Sequence, residues 1–263
     1  MFKVTSLFVL CLQISALWSW SYEDTNSWKT QFPLCNGSLQ SPIALNSKTA
    51  VQQFFPKVLF KNYFKLIPGK LVSLTNTNKT ASLSLKKVPL KQRPMVVAKG
   101  GLFILDEIHF HWPSEHVIDN AKASLEVHLA HRNFKYNSVY EAAEKPNGVI
   151  VVAHLYSISY KLESSLLSPI TKDLLNINDP GCVTSLSKDI QFGNIFPLKK
   201  QFFRYSGSLT TPKCNEHVNW IVYSNFEYVS TEDMQRFHQL ELNNHRNDRE
   251  IQELNGRKVI LYS

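Results

Sequence analysis

The chain has 263 residues, 43% hydrophobic and 19% charged, and its 29 Lys and Arg exceed its 21 Asp and Glu to give a net charge of +8. The basic residues are scattered, with pairs at Lys86-Lys87 and Lys199-Lys200 but no longer run. That pattern lacks the basic stripe with aromatic platforms of a nucleic-acid-binding surface and reads as a solvated basic exterior.

The first elements belong to targeting. Lys3 precedes an apolar-leaning run from Val4 to Leu17, and Ser15, Ala16 and Ser19 offer small residues for cleavage. This is the layout of a secretory signal peptide over residues 1–19, cut between 16 and 19, and the run is too short to span a membrane. No later stretch reaches membrane length, and the terminal segment Asn255 to Ser263 lacks the apolar tail of a lipid-anchor signal. A secreted protein, with no membrane span or lipid anchor, is therefore expected. Removing Cys11 with the signal leaves Cys35, Cys182 and Cys214. In an oxidising compartment an odd count implies one pair and one residue left over, and spacing alone does not choose them. Asn36-Gly37-Ser38 and Asn78-Lys79-Thr80 are glycosylation sequons, which makes Asn36 and Asn78 candidates for glycans.

Strand signals then dominate. Residues 58–66, 71–77, 81–88, 101–112, 124–131, 148–160 and 218–229 are rich in β-branched and aromatic residues. Residues 81–88 begin with an apolar and polar alternation, as a half-buried strand should; residues 148–156 are nearly continuous in apolar residues, as a strand buried on both faces would be. Two stretches predict helices. One is residues 161–177, interrupted at Pro169. The other is residues 230–242, where Ser230 and Asp233 fit a capping box and Met234, Phe237 and Leu240 recur every three residues. With no repeat, low-complexity tract or linker, the chain reads as one mainly β domain.

The chemistry concentrates between Glu107 and His116, which holds three of the nine histidines. His109 and His111 are two apart in a strand-like run, so both side chains leave the same face. Two such imidazoles can grip a divalent ion, and a catalytic zinc site needs a third protein ligand and an open position. His128 is the best candidate. Glu126, two residues before it, is placed to accept its other ring proton, and Glu107 stands in the same relation to His109. His131 faces the other way.

The motifs His109-Phe110-His111-Trp112, Ser114-Glu115-His116, Glu126 to His131 and Gly207 to Pro212 resemble the α-class carbonic anhydrases. Shorter matches at Trp20 to Tyr22, Gly37 to Ile43 and Leu254 to Arg257 extend the likeness over the whole mature chain, 20–263. The resemblance implies a large twisted, mostly antiparallel central sheet with short peripheral helices, and Zn2+ at the bottom of a conical cleft. It implies zinc ligation by His109, His111 and His128, a gate-keeping Thr210, and Glu115 accepting the Thr210 hydroxyl proton. Thr211 would line the cleft, and Ala130, Val151, Leu209, Val218 and Trp220 would form an apolar pocket for carbon dioxide. It also implies a disulfide between Cys35 and Cys214, which leaves Cys182 free or joined to another chain.

Three departures qualify the resemblance. A Gly-rich loop of the family is reduced to Pro113, which predicts a tighter turn without loss of the site. Glu107 replaces a neutral glutamine as the partner of the first zinc histidine, which should raise the basicity of that ligand. Lys79 occupies the place of the histidine that shuttles protons in the family's fast members. An unperturbed lysine stays charged at neutral pH and accepts no proton there. The expectation is a secreted zinc enzyme hydrating CO2 to bicarbonate, limited by proton transfer. The alternative is a carbonic-anhydrase-like binding or matrix protein with little catalysis.

Overall fold

Alternating side chains and short turns make this chain sheet-forming, and a computed structural model shows one dominant sheet. It describes residues 10–11, 20–54, 58–163, 165–198, 201–242 and 246–263. Most of the predicted signal peptide, 1–9 and 12–19, lies outside the described residues. The labelled strands are β1 (Leu59–Lys61), β2 (Ser73–Asn76), β3 (Ala81–Ser84), β4 (Met95–Ala98), β5 (Gly101–His111), β6 (Leu125–Asn133) and β7 (Val149–Ser159). They continue with β8 (Cys182–Ser185), β9 (Phe202–Gly207) and β10 (Val218–Tyr223). Across the sheet the order is β8, β2, β3, β5, β6, β7, β10, β9, then Ile260–Tyr262 and Val51–Gln53; β4 joins β5 and carries β1. Most pairs are antiparallel; β7 runs parallel to β10 and to Glu227–Ser230.

Period-two alternation gives the sheet two different faces. On one, Ile108, Phe110, Val127, Leu129, Ile150, Val152 and Ile221 enter a large apolar core. The other carries the histidines. Register sets His109 opposite His128 and Glu126 opposite His111, and continues through Ala130 to Val151 and Trp220. A one-residue slip would turn every one of these side chains into the wrong layer. Strand β7 is buried from Val149 to Tyr156, as its continuous apolar sequence predicts.

Beyond His111 the chain reverses quickly. The turn at Pro113 leads to a small hairpin, Val117–Ile118 with Ala121–Lys122, in which Asp119 and Asn120 both have positive φ (49° and 66°). Asp and Asn tolerate that region and suit a two-residue hairpin turn.

The helix over 230–242 forms as α1 (Thr231–His238), with Ser230 Oγ accepting from the Asp233 N–H at 3.1 Å. The continuous helix predicted over 161–177 does not. A single turn at Ser168–Thr171 and a 3-10 turn at Leu174–Ile177 replace it, with Pro169 at the start of the first. The serines that looked helical instead serve Asp233. Its buried carboxylate accepts from the Ser165 N–H and hydroxyl, Ser168 Oγ, Ser230 Oγ and Thr171 Oγ1, and pairs with Arg236.

Cys35 and Cys214 form a disulfide across 179 residues. The expectation of a free or intermolecular Cys182 is corrected. Cys182 is disulfide-bonded, and no cysteine is free among the described residues. Backbone pairing of Leu10–Cys11 with Val183 and Cys182 brings the start of the chain to this edge, a position that spacing does not disclose.

Burial pushes the Asp233 pKa up, but the hydrogen bonds from Thr171, Ser168 and Ser165 outweigh it and bring it to about 2. The folded state therefore binds fewer protons than the unfolded state between pH 2 and about 4. Asp233 should stabilise the fold fully above that window and lose its contribution as pH falls toward 2. Asp233→Asn should cost about 2–4 kcal/mol at pH 7 and flatten the stability slope below pH 4, read by urea unfolding across pH.

Candidate metal centre

The two strands β5 and β6 present three imidazoles to one space. His109 Nε2 and His128 Nδ1 are 3.3 Å apart, and one nitrogen from each of His109, His111 and His128 lies within 4.8 Å of the others. Their remaining nitrogens face outward to partners. His111 Nδ1 donates to the Asn247 carbonyl at 2.7 Å, and His128 Nε2 to Glu126 Oε1 at 2.7 Å. His109 Nδ1 lies 3.2 Å from Glu107 Oε1, but off the line of a hydrogen bond. His111 Nε2 is buried without any hydrogen-bond partner. Such an orphaned acceptor, beside two more imidazole nitrogens, fits a divalent cation with nitrogen preference.

Electrostatics keep His111 and His128 in the ligating form. Burial, followed by the neighbouring His128 and His109, holds the His111 pKa well below its ordinary value. Burial lowers His128 to about 4, against the opposing pull of Glu126. Neutral imidazoles are the species that bind metals.

Glu126 is the anchor beneath them. Its Oε1 accepts from His128 and from His116 Nδ1 (2.6 Å), and its Oε2 accepts from the backbone N–H groups of Glu115 and His116, both at 2.8 Å. Burial pushes its pKa up, but His116 and His128 outweigh that and hold it well below the carboxylate range. His116 spends its other nitrogen on Tyr205 Oη at 2.7 Å. Both of its nitrogens are engaged by hydrogen bonds. His131 serves structure, bonding Tyr63 Oη and the Leu129 carbonyl.

Glu115 is fully buried and accepts from the Arg249 N–H at 2.9 Å. Burial and the Glu126 charge raise its pKa well above normal, while the hydroxyl of Thr210 and the Arg249 N–H act in the opposite direction. Its Oε2 has no completed hydrogen bond. Thr210 is held on the segment after β9: Leu209 N–H donates to the Asn215 carbonyl, Cys214 N–H to the Thr211 carbonyl, and the disulfide fixes Cys214 to Cys35.

A cleft opens above these groups, lined by Glu107, His109, His128, Ala130, Val151, Leu209, Thr210, Thr211 and Trp220. Val139 and Tyr140, which the sequence reading omits, complete the wall. Their helical turn, Val139–Ala143, gives no local sign of facing the histidines. Val218 is buried in the same apolar cluster as Ala130, Val151 and Trp220, with Leu209 packed against it. Asn247 and Arg249 are also missed, because an irregular segment carries no periodicity. For Glu107, burial raises the pKa but contact with His109 and the charges of His109 and Lys86 bring it below normal. Lys79 Nζ donates to the Trp20 carbonyl at 2.5 Å and lies 4.9 Å above the Trp20 ring. Asn36 is exposed, whereas Asn78 is half-buried with φ of 64°.

A mixed β-sheet with a three-imidazole pocket on two adjacent strands makes this a β protein with a candidate metal site. The model of the eukaryotic-type carbonic anhydrase family matches residues 23–263, and the chain belongs to that family. It is 34% identical to carbonic anhydrase 6 of Mus musculus over 235 residues, which covers 84% of this chain and 71% of the relative. Against carbonic anhydrase 6 of Homo sapiens the identity is 33%, covering 86% and 75%. Carbonic anhydrase 15 of Mus musculus is 28% identical, covering 83% and 72%.

Replacing Glu126 by Ala would leave two buried imidazoles and two N–H groups without an acceptor. Stability should fall by about 3 kcal/mol or more. Zinc affinity, measured by chelator competition, should fall about 10- to 100-fold. Glu126→Gln should recover part of the stability and little of the affinity.

Proposed function

We propose that this chain is a secreted, zinc-dependent carbonic anhydrase that hydrates CO2 to bicarbonate and a proton. The observation that carries the reading is the convergence of three imidazole nitrogens, one buried and orphaned, in a member of this family. His109, His111 and His128 would hold Zn2+. When bound, the ion supplies Lewis acidity that makes water nucleophilic at neutral pH, an effect for which carbonic anhydrase is the standard example.

The chain's own residues do the rest. As a carboxylate, Glu115 can only accept, so the Thr210 hydroxyl donates to it and keeps its lone pair for the attacking nucleophile. That fixes the nucleophile's orientation and removes a rotational choice before reaction. A cation between the histidines opposes the burial that raises the Glu115 pKa. Ala130, Val151, Leu209 and Trp220 offer an apolar wall to a small non-dipolar substrate, and Thr211 adds a polar group at its edge.

Proton removal is the slow step in this reading. The Lys79 ammonium is engaged by the Trp20 carbonyl and ring. Desolvation lowers its pKa, but the contact leaves no mobile base there. Secretion is supported by the Cys35–Cys214 bond, which belongs in an oxidising compartment. On the same reading, exposed Asn36 is the better glycan acceptor.

The deciding experiment measures zinc content and CO2 hydration on purified protein. His111→Ala should lose most bound zinc to dialysis, keeping about a tenth or less, and lose hydration with it. Full zinc without hydration in the unmodified protein favours the binding-protein alternative. Small imidazole buffers should raise turnover, and Lys79→His should raise it about tenfold or more. No response to either would sink the proton-transfer limit.

A further inference from the structure

The charge that looks scattered is unevenly divided along the chain. Residues 25–105 contain 12 Lys and Arg and no Asp or Glu, whereas residues 106–263 contain 16 and 19. Folding gathers part of this unopposed charge on one side. In the β1–β4 ribbon, Leu59 lies opposite Val97 and Lys61 opposite Met95, so Leu59 and Lys61 share the outward face while Phe60 packs on the core. The loop after β1 is tied to the segment before β4. Asn62 Nδ2 donates to the carbonyls of Lys91 and Arg93 at 3.3 and 3.1 Å, and Lys65 Nζ donates to the Lys91 carbonyl at 2.9 Å.

Lys61, Lys65, Lys87 and Lys91 are exposed. None of them forms an ion pair among the described residues. Asp106, which reaches this region from β5, is buried between Arg93 and Arg132. Asp189 accepts from the Gly69 N–H at 3.0 Å. On the same segments, Leu59, Phe64, Leu66 and Leu90 are 54%, 60%, 60% and 44% exposed.

This composition discriminates among partners. A second copy would bring the same lysines face to face, and like charges repel. A sulfated polysaccharide would satisfy the lysines and leave four large apolar side chains in water. An anionic bilayer accepts both: apolar groups enter the acyl boundary while ammonium groups stay with the phosphates. We propose that the face formed by β1, its following loop and the Lys86–Arg93 segment docks peripherally on membranes carrying anionic phospholipid. The contact needs no span, and no helix among the described residues is long and apolar enough to provide one. None of these docking residues belongs to the histidine cleft, so membrane binding and hydration are separable.

The test is sedimentation of the full-length secreted protein with vesicles of phosphatidylcholine, alone or with phosphatidylglycerol. Binding should appear with the anionic vesicles, be about tenfold or more weaker on phosphatidylcholine alone, and fall as salt is raised. Lys61→Glu, Lys65→Glu and Lys91→Glu combined should weaken it at least about tenfold. Leu59→Ser with Leu66→Ser should weaken it several-fold, and CO2 hydration, as a check of folding, should stay unchanged in both variants. No binding to anionic vesicles at low salt overturns the proposal. So does equal binding to both vesicle types, or retention on immobilised heparin that needs the lysines and ignores the leucines.

Discussion

One buried carboxylate holds the site together. Glu126 receives two imidazole N–H groups and two backbone N–H groups, so four separate donors converge on two oxygens. Two donors, His128 and His116, are side chains on different segments, and the other two are the amides that place Glu115. Through this residue the orientation of a candidate ligand, the path of the turn after His111 and the position of the Thr210 partner become one problem. An acceptor of this kind is stabilising only when complete, because each donor it abandons would be buried and unpaired.

The sheet supplies the frame within which that acceptor works. Strands β5 and β6 place His109 opposite His128, and the opposite face of the same strands is packed in the main core. Side-chain direction is thus fixed by apolar burial on one face and used for chemistry on the other. The irregular segment from Asn247 to Arg249 closes the arrangement. Asn247 takes the His111 N–H on its carbonyl and gives its amide to Phe110 O and Lys79 O. Arg249 reaches from Glu115 to Gln40, Ser41 and Cys35.

Much of this was legible from residue order. The two-residue spacing of His109 and His111 and of Glu126 and His128 has a single meaning in a strand, and the structure keeps all four on one face. Burial of β7 follows from its unbroken apolar run. Where reading failed, the cause was tertiary. Ser165, Ser168 and Thr171 resemble helix residues until Asp233 is brought to them from 62 or more positions away. Asn247 and Arg249 act through backbone atoms and a long side chain in a segment without period. Tyr140 enters the cleft wall from a short turn whose docking no local pattern encodes. The lysines of residues 25–105 looked dispersed because spacing along a chain says little about adjacency across loops.

The disulfide and the Asn247–Arg249 segment share a consequence for how the protein is made. Cys35 meets Cys214, and the donors and acceptors that orient His111 and Glu115 come from residues 247 and 249 of 263. A ribosome therefore releases the central strands well before it releases the groups that orient their histidines. Until Asn247 and Arg249 emerge, the nascent chain can own a sheet and three imidazoles without owning a finished cleft. Completion of the site waits on the Asn247–Arg249 segment, so a product truncated before it should carry the motif and lack the geometry.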